Sequence, residues 1–558
     1  MLATEWNLYP SQPDVARSLA SRVRVDPLIG QFLLNRGIRH PEDAKRFFSP
    51  RLETLGDPRQ LPDMAQAVSR IRQAVSAREP IVVFGDSDVD GVTASAIVYE
   101  TLTALGAQVQ VSLSNRIRDG YGLPPVLAKR LMREQVKLLV LVDCGTNQPV
   151  EIGQLADRGI DTIVLDHHVP ADKSASPLAL VNPYRGTGYG REFCSAGLAF
   201  KLAQALWPDE MLLRQELDLT VLGTLADYAP MGGENRVLVV EGIQEILRSH
   251  RPGLQQICEE LRVTKPTPEH ILRRLVPCLN AAGRLGNPRP VWELLVERRP
   301  SAASRLVAVV KAAYAQAKAL HHQIMNEAYE QVNRIHFKDQ HVMVIGRPGW
   351  HPGFMGPLAS QLMERYARPA IAIALDERVG VGSGRAPEMF NLFEALRACE
   401  GVLLRYGGHP QACGLTLKSG NLHSFREQIN QHAKASFGSR RVMRTLRIDA
   451  EASLCDLTAT VASTIGRFIP FGTGNLRPTI LLRRLVAERD VSGTMWFTDD
   501  TGRRPLRGRE AGLLSGYPYD VVVHVELVAS DVALSVRDAR VCILPAPQSE
   551  ASRQAGVP

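Results

Sequence analysis

Three short apolar runs punctuate the first half of the chain: IVVF at 81–84, LLVLV at 138–142 and TIVL at 162–165. Amphipathic stretches separate them. Runs of four or five apolar residues bounded by polar or glycine positions suit strands, and strands alternating with helices predict βαβ units around a mostly parallel sheet. Residues 301–334 contain no Gly or Pro and are rich in Ala, Leu, Gln and Lys, so one long helix is predicted there. Beyond it, VMVI at 342–345 and PAIAIAL at 369–375 announce a second, smaller α/β unit. Strand-like pieces such as TILLRRLVAE and DVVVHVELVA then point to a β-rich region, a small barrel in form. Upstream, Pro13 to about Leu61 reads as short helices broken by turns, with the capping-like HPEDAKRFF from His40.

The fold class expected is therefore α/β, with two α/β domains joined by a long helix and a C-terminal β-rich domain. The boundaries expected are a helical segment over 1–75, the first α/β domain over 76–300, a connecting helix over 301–336, the second α/β domain over 337–437, the β-rich domain over 438–545 and a disordered tail over 546–558. GSRRVMRTLR, from Gly438, forms a basic junction.

Composition changes this picture little. The 558 residues are 45% hydrophobic and 22% charged, a globular profile, and the formal net charge of +8 is compatible with a polyanionic partner without proving one. The eight cysteines form no C-x-x-C pair, which suggests neither a zinc site nor a disulfide framework. A reducing cytoplasm fits. No apolar run approaches the roughly 18 residues of a membrane span, and no membrane partner is expected.

The chemistry lies where the apolar runs stop. The first runs into Gly85-Asp86-Ser87-Asp88-Val89-Asp90, the second into Asp143, and the third into Asp166-His167-His168. Strands of a parallel sheet end on one edge, and open α/β sheets bind ligands at that edge. Five aspartates and two histidines converge there, and Asp227 in VLGTLADYAP follows another apolar segment and can join them. Taken singly, DVDG is a turn and Asp143 an ordinary strand end; the coincidence of three strand ends is what argues for a site. So many anions and imidazoles gather stably only around cations. Aspartate and histidine without cysteine favour Mn²⁺ or Mg²⁺, and more than four candidate ligands suggest two ions, the standard device for phosphoester hydrolysis.

DVDG, VDCG, LDHH and GTLADYAP, in that order, resemble the four motifs of the DHH phosphoesterase superfamily. GRPGWHPGFMGPLASQLMERYARPAIAIA, GVGSGRA and RYGGHPQACGL resemble the DHHA1 domain that accompanies it. With NRIRDGYGL, CLNAAGRLGN and FIPFGTGNLRP, they resemble the RecJ family of bacterial single-strand-specific 5′→3′ DNA exonucleases, over nearly the whole chain to about residue 480. The resemblance implies an OB-like C-terminal domain and metal ligands Asp88, Asp90, Asp143, His167 and Asp227, with Asp86 in or near the shell. It makes His168, with Asp166 and Asp143, catalytic. It places Asn280 and Arg284 against the nucleotide, and Ser383, Arg385 and His409 on phosphate from the second domain, with Arg116 and Arg118 along the route.

The resemblance further implies a metal-dependent enzyme of DNA repair and recombination, a monomer that releases 5′ mononucleotides and works with a helicase and a single-strand-binding protein. Ser87 departs from the aromatic residue usual in the family, Cys278 from an arginine and Ile469 from an acid; the C-terminal stretch lacks the usual basic turn. These departures bear on substrate grip rather than chemistry. A phosphodiesterase for short oligonucleotides and a non-catalytic scaffold that binds single strands stay open as alternatives. The first is generally shorter; the second loses ligand carboxylates, which are all present here.

Overall fold

The structure is a computed structural model that describes residues 4–542, apart from 135, 172, 208, 336, 338–339, 439–443, 508–512 and 529–530. Much of the expected basic junction, and all of the expected tail from 546, therefore lie outside the described residues.

The chain starts with strand β1 (Thr4–Leu8) and three short helices, Pro13–Val23, Pro27–Asn35 and Pro41–Phe48. Five parallel strands follow: β2 (Pro80–Gly85), β3 (Gln108–Leu113), β4 (Leu138–Val142), β5 (Asp161–Leu165) and β6 (Ala179–Val181), in the spatial order β3-β2-β4-β5-β6. The three apolar runs are β2, β4 and β5. Alternation along β2 sends Ile81 and Val83 into one core and Val82 and Phe84 into another on the opposite face. Helices Val89–Ala104 and Ser195–Leu206 contribute to the first core, Pro125–Leu131 and Pro149–Ala156 to the second. Strands covered on both faces need no polar alternation, which is why they read as unbroken apolar runs.

Strand β2 has β3 on one side and β4 on the other, so the connection from β2 to β3 and the one from β3 back to β4 run in opposite directions along the sheet. A crevice opens at such a switch point, at the carboxyl ends of β2 and β4.

Helix Pro300–Val332 has 33 residues and is about 50 Å long. Its Val307 and Val310 belong to the first domain's core, whereas Ile324, Met325, Ala328 and Val332 enter a core of the second. It is thus a strut anchored at both ends. The second domain contains β7 (Met343–Pro348), β8 (Ala370–Leu375), β9 (Val379–Arg385), β10 (Leu403–His409) and β11 (Ala412–Lys418), in the order β10-β11-β9-β8-β7. Only β7 and β8 are parallel.

After β12 (Arg444–Ile448), which pairs with β1, come β13 (Ala450–Ala452), β14 (Ile480–Arg489), β15 (Met495–Asp499), β16 (Gly502–Arg507), β17 (Pro518–Val528) and β18 (Asp531–Val541). Because β14 pairs with both β15 and β17, the sheet closes into an OB-like barrel. The N-terminal helices share its core: Leu19, Phe32 and Phe47 pack with Phe468, Leu482 and Phe497. From the first domain, the buried Arg236 donates to the carbonyls of Phe47, Arg467 and Phe468, tying three parts of the chain together. Among the described residues, no helix is long and apolar enough to cross a membrane.

Candidate metal centre

Each carboxylate owes its place to the end of a regular element. Asp86 follows β2 directly. Asp88 caps helix Val89–Ala104, its Oδ1 accepting from the Gly91 amide at 3.1 Å. Asp90, in the first turn of that helix, points at a second helix start and accepts from the amides of Ser195 and Ala196, both at 2.8 Å. A carboxylate at a helix N-terminus is held by unpaired N–H groups and the helix dipole. Asp143 follows β4 with φ of 63° and receives the Ser195 hydroxyl at 2.9 Å. His167 follows β5, and Asp227 ends helix Leu217–Ala226. Two glycines make room for this assembly. A Cβ on Gly223 would lie 2.8 Å from Asp90 Oδ1, and one on Gly283 would lie 2.1 Å from the Ser87 carbonyl.

Three overlapping sets of side chains converge closely enough to hold a metal ion: Asp86–Asp88–Asp143, Asp90–His167–Asp227 and Asp143–His167–His168. His167 is the hub, with Nε2 at 3.3 Å from Asp143 and 3.9 Å from Asp90, and Nδ1 at 3.7 Å from Asp227.

Electrostatics show the cost of this gathering. Burial and the neighbouring Asp143 push Asp88 up to about 7. Burial and Asp227 push Asp90 to about 6; burial alone dominates at Asp227, also raised to about 6. Asp143 is raised by burial and Asp90. Burial opposes a charge on His167, yet Asp143, Asp227 and Asp90 outweigh it and hold the imidazole well above its usual value. Buried, mutually repelling oxygen donors around one imidazole fit a hard divalent cation, which would relieve the repulsion.

Asp86 differs from its neighbours. Burial disfavours its charge, but Arg116 overcomes this and keeps it below the usual carboxylate range. Its oxygens already accept from Arg116, Ser114 Oγ at 2.6 Å and the Ser87 amide at 2.6 Å. Arg116, expected on substrate, is thus drawn onto Asp86 and also reaches Asp88 at 3.3 Å. Arg118 is engaged by Asp119 at 2.7 Å.

Asp166 lies outside the three converging sets. It bonds His168 Nδ1 at 2.7 Å and accepts the Thr146 amide at 3.1 Å; burial resists its charge, but His168 lowers it to about 2. In this geometry it is a positioning residue for His168. Asn280 accepts the Val89 amide at 3.0 Å and so supports the start of the helix that bears Asp90. Cys278 is buried in the first domain's apolar core.

The second domain faces this rim. The carbonyl of Arg284 packs against Gly353, and Arg385 Nη2 lies 3.4 Å from where a Gly356 Cβ would sit. Arg385 Nη1 donates to Ser383 Oγ at 2.9 Å and to the Gly384 carbonyl at 2.8 Å. Burial lowers the basicity of both arginines. Among the described residues neither has a carboxylate within salt-bridge distance. His409, on β10, is lowered by partial desolvation of its ring and then by His168 and His167, so it lies within electrostatic reach of the metal centre. Trp350 is buried and donates to Glu327, and Tyr406, partly buried, packs beside Phe393. His321 is half-buried and contacts Gln361 at 2.9 Å.

Sequence reasoning passes over Tyr121 and Ser195. The Tyr121 hydroxyl lies 3.0 Å from His168 Nδ1 and 3.1 Å from the Asp143 carbonyl, and its ring stands under the Arg116 guanidinium. The signal was present in GYGL, but a tyrosine between glycines reads equally well as a turn. Loss of a hydrogen bond to a charge-bearing histidine costs about 1.5–3 kcal/mol. Tyr121→Phe is therefore expected to lower turnover about tenfold or more with little change in KM, as measured by steady-state hydrolysis of a single strand.

A DHH domain followed by a DHHA1 domain defines the class. The DHH family N-terminal domain matches residues 80–224 and the DHHA1 domain residues 339–435. Comparison over greater lengths narrows it. The chain is 33% identical over 500 residues to the single-stranded-DNA-specific exonuclease RecJ of Bacillus subtilis, covering 88% of this chain and 63% of that protein's length. It is 30% identical over 503 residues to RecJ of Dickeya dadantii, covering 83% of this chain and 86% of that protein. The crystal structure of Thermus thermophilus RecJ with Mn²⁺ matches with a TM-score of 0.81 and 27% identity, over 96% of this chain and 79% of that one; the Mg²⁺ complex gives 0.76. The chain belongs to the RecJ family.

Proposed function

We propose that this protein degrades single-stranded DNA from its 5′ end, releasing 5′ mononucleotides in DNA repair and recombination. Two Mn²⁺ or Mg²⁺ ions would be held by Asp86, Asp88, Asp90, Asp143, His167 and Asp227. The observation that carries this reading is the pair of ligand sets, Asp86–Asp88–Asp143 and Asp90–His167–Asp227, on one crevice rim. When bound, such ions supply Lewis acidity toward a phosphodiester and toward water.

The chain's own groups do the rest. Asp166 engages His168 Nδ1, leaving Nε2 as the nitrogen able to pass a proton to the departing 3′ oxygen. Arg284 and Arg385, lacking acid partners, take phosphates together with Ser383 and His409. Arg116 enters the same track with Asp86 as its anchor, and the amide nitrogen of Asn280 is left to face the nucleotide. The barrel binds strand farther out by charge and stacking. An enzyme limited to single strands calls for a helicase to supply them and meets the single-strand-binding protein that coats them. Eight free cysteines, six of them buried, suit the cytoplasm.

Single strands labelled at the 5′ or the 3′ end, incubated with and without Mn²⁺, test the reading. Immediate release of labelled mononucleotide from the 5′ label, only with metal, is expected. Shortening from the 3′ end, or faster turnover of a dinucleotide than of a long strand, defeats it. Arg385→Ala is expected to raise KM about tenfold and to reduce the slope of log KM against log salt by about one, because one phosphate contact is lost.

A further inference from the structure

Tyr228 directly follows the candidate ligand Asp227 and is the most exposed tyrosine of the chain, at 68%. Its backbone is left-handed, with φ of 54°. The Tyr228 amide bonds the Leu225 carbonyl at 3.1 Å and the Ala229 amide bonds the Thr224 carbonyl at 3.2 Å, a helix-ending turn whose left-handed position normally goes to glycine. A Cβ there is strained, and an aromatic ring gains nothing from burial when it stands in solvent. Of the eight non-glycine residues with positive φ among those described, it is the only aromatic.

The fold uses the ring for nothing visible. Among the described residues, its side chain has no hydrogen bond and no ring or cation–π partner. What lies near it is functional. The phenol is within electrostatic reach of Arg284, which has no salt-bridge partner among the described residues, and Asp227 beside it faces His167. On the other side, the Met231 amide bonds the Thr473 carbonyl at 2.7 Å, which ties the Tyr228 turn to the loop that carries the exposed Ile469 and Leu476. An exposed aromatic held at local cost beside a metal ligand and near an arginine proposed to take phosphate suits what a single strand presents next to its phosphate, the flat face of a base.

We propose that Tyr228 is the stacking platform for a nucleobase flanking the phosphodiester to be cut. This rests on the exonuclease reading above. Stacking tolerates any base, so the contact adds grip without sequence preference, and it holds the strand's end in register with the metal centre.

Steady-state digestion of natural strands, and of strands abasic at the first or the second nucleotide, tests it with wild type, Tyr228→Phe and Tyr228→Asn. Asparagine accepts the left-handed backbone, so Tyr228→Asn is expected to melt no lower than wild type while its KM on natural strands rises about tenfold. Tyr228→Phe keeps the wild-type KM. One abasic strand is expected to weaken wild type to the level of Tyr228→Asn and to abolish the difference between them. An unchanged KM for Tyr228→Asn overturns the proposal, and so does an equal loss on natural and abasic strands, which would assign the ring a structural part. Wild-type protein that digests no strand overturns the exonuclease reading, and the stacking role with it.

Discussion

Replacing Asp143 with alanine is expected to lower hydrolysis of single-stranded DNA by more than about a thousandfold while changing strand affinity by less than about twofold. Asp143 belongs to two of the three converging sets and touches His167, the hub of the site. Among the described residues it forms no ion pair or hydrogen bond with the arginines proposed to take phosphate, although its charge is felt by Arg116. Turnover and affinity should therefore separate, and fluorescence anisotropy with a labelled strand in chelator measures the second without the first.

Stability supplies an independent check. Asp143 is 2% exposed and raised by burial and by Asp90, so its charge works against the metal-free fold. Asp143→Asn, which keeps the volume, is expected to melt no lower than wild type in chelator and to lose most of the melting-temperature rise that Mn²⁺ gives wild type. Activity above about a tenth of wild type would falsify the assignment of the centre.

The second large effect is in pH. Asp88 stands at about 7 and Asp90 and Asp227 at about 6, against 3.8 for an ordinary aspartate. Between about pH 4 and 7 the folded, metal-free chain keeps protons on these groups that the unfolded chain has released. Their contribution to stability is fully present below about pH 4 and is lost as pH rises through 6 and 7. Binding a divalent ion needs the same carboxylates ionised and His167 neutral, so it expels those protons. Mn²⁺ affinity is expected to climb at least tenfold per pH unit near pH 6 and to flatten above the His167 transition. Calorimetry in two buffers of different ionisation enthalpy should count more than about one proton released per chain at pH 6. A pH-independent affinity would show that these carboxylates are not the ligands.

The site was legible because its ligands sit at strand ends. A parallel sheet directs every strand's carboxyl end to one edge, so Asp86–Asp90, Asp143 and Asp166–His168 could be gathered from three apolar runs before any contact was known. Asp227, at a helix end, needed only its place after an apolar segment. Division of labour was not legible. Asp86 and Asp88 look alike two positions apart, yet one is anchored by Arg116, Ser114 and an amide while the other keeps a raised proton affinity. Asp166 ends a strand just as Asp143 does, but turns to His168. Tyr121, Ser195 and Tyr228 declare themselves only through neighbours far away in the chain.

The N-terminal helices behave in the same way. Their periodicity shows an apolar face, and nothing local says that Phe32 and Phe47 will meet Phe468 more than four hundred residues later. The order of residues alone specifies the two α/β layers, the long helix between them, the barrel and the set of acids on one rim, because each comes from periodicity, propensity and the polarity of parallel strands, which are local properties. Packing in three dimensions settles which carboxylates repel and which are paired, which arginines stand free beside them, and which aromatic is left in solvent. Those depend on distances between residues remote in sequence, where a few ångströms separate a neutralised charge from one that needs a metal ion.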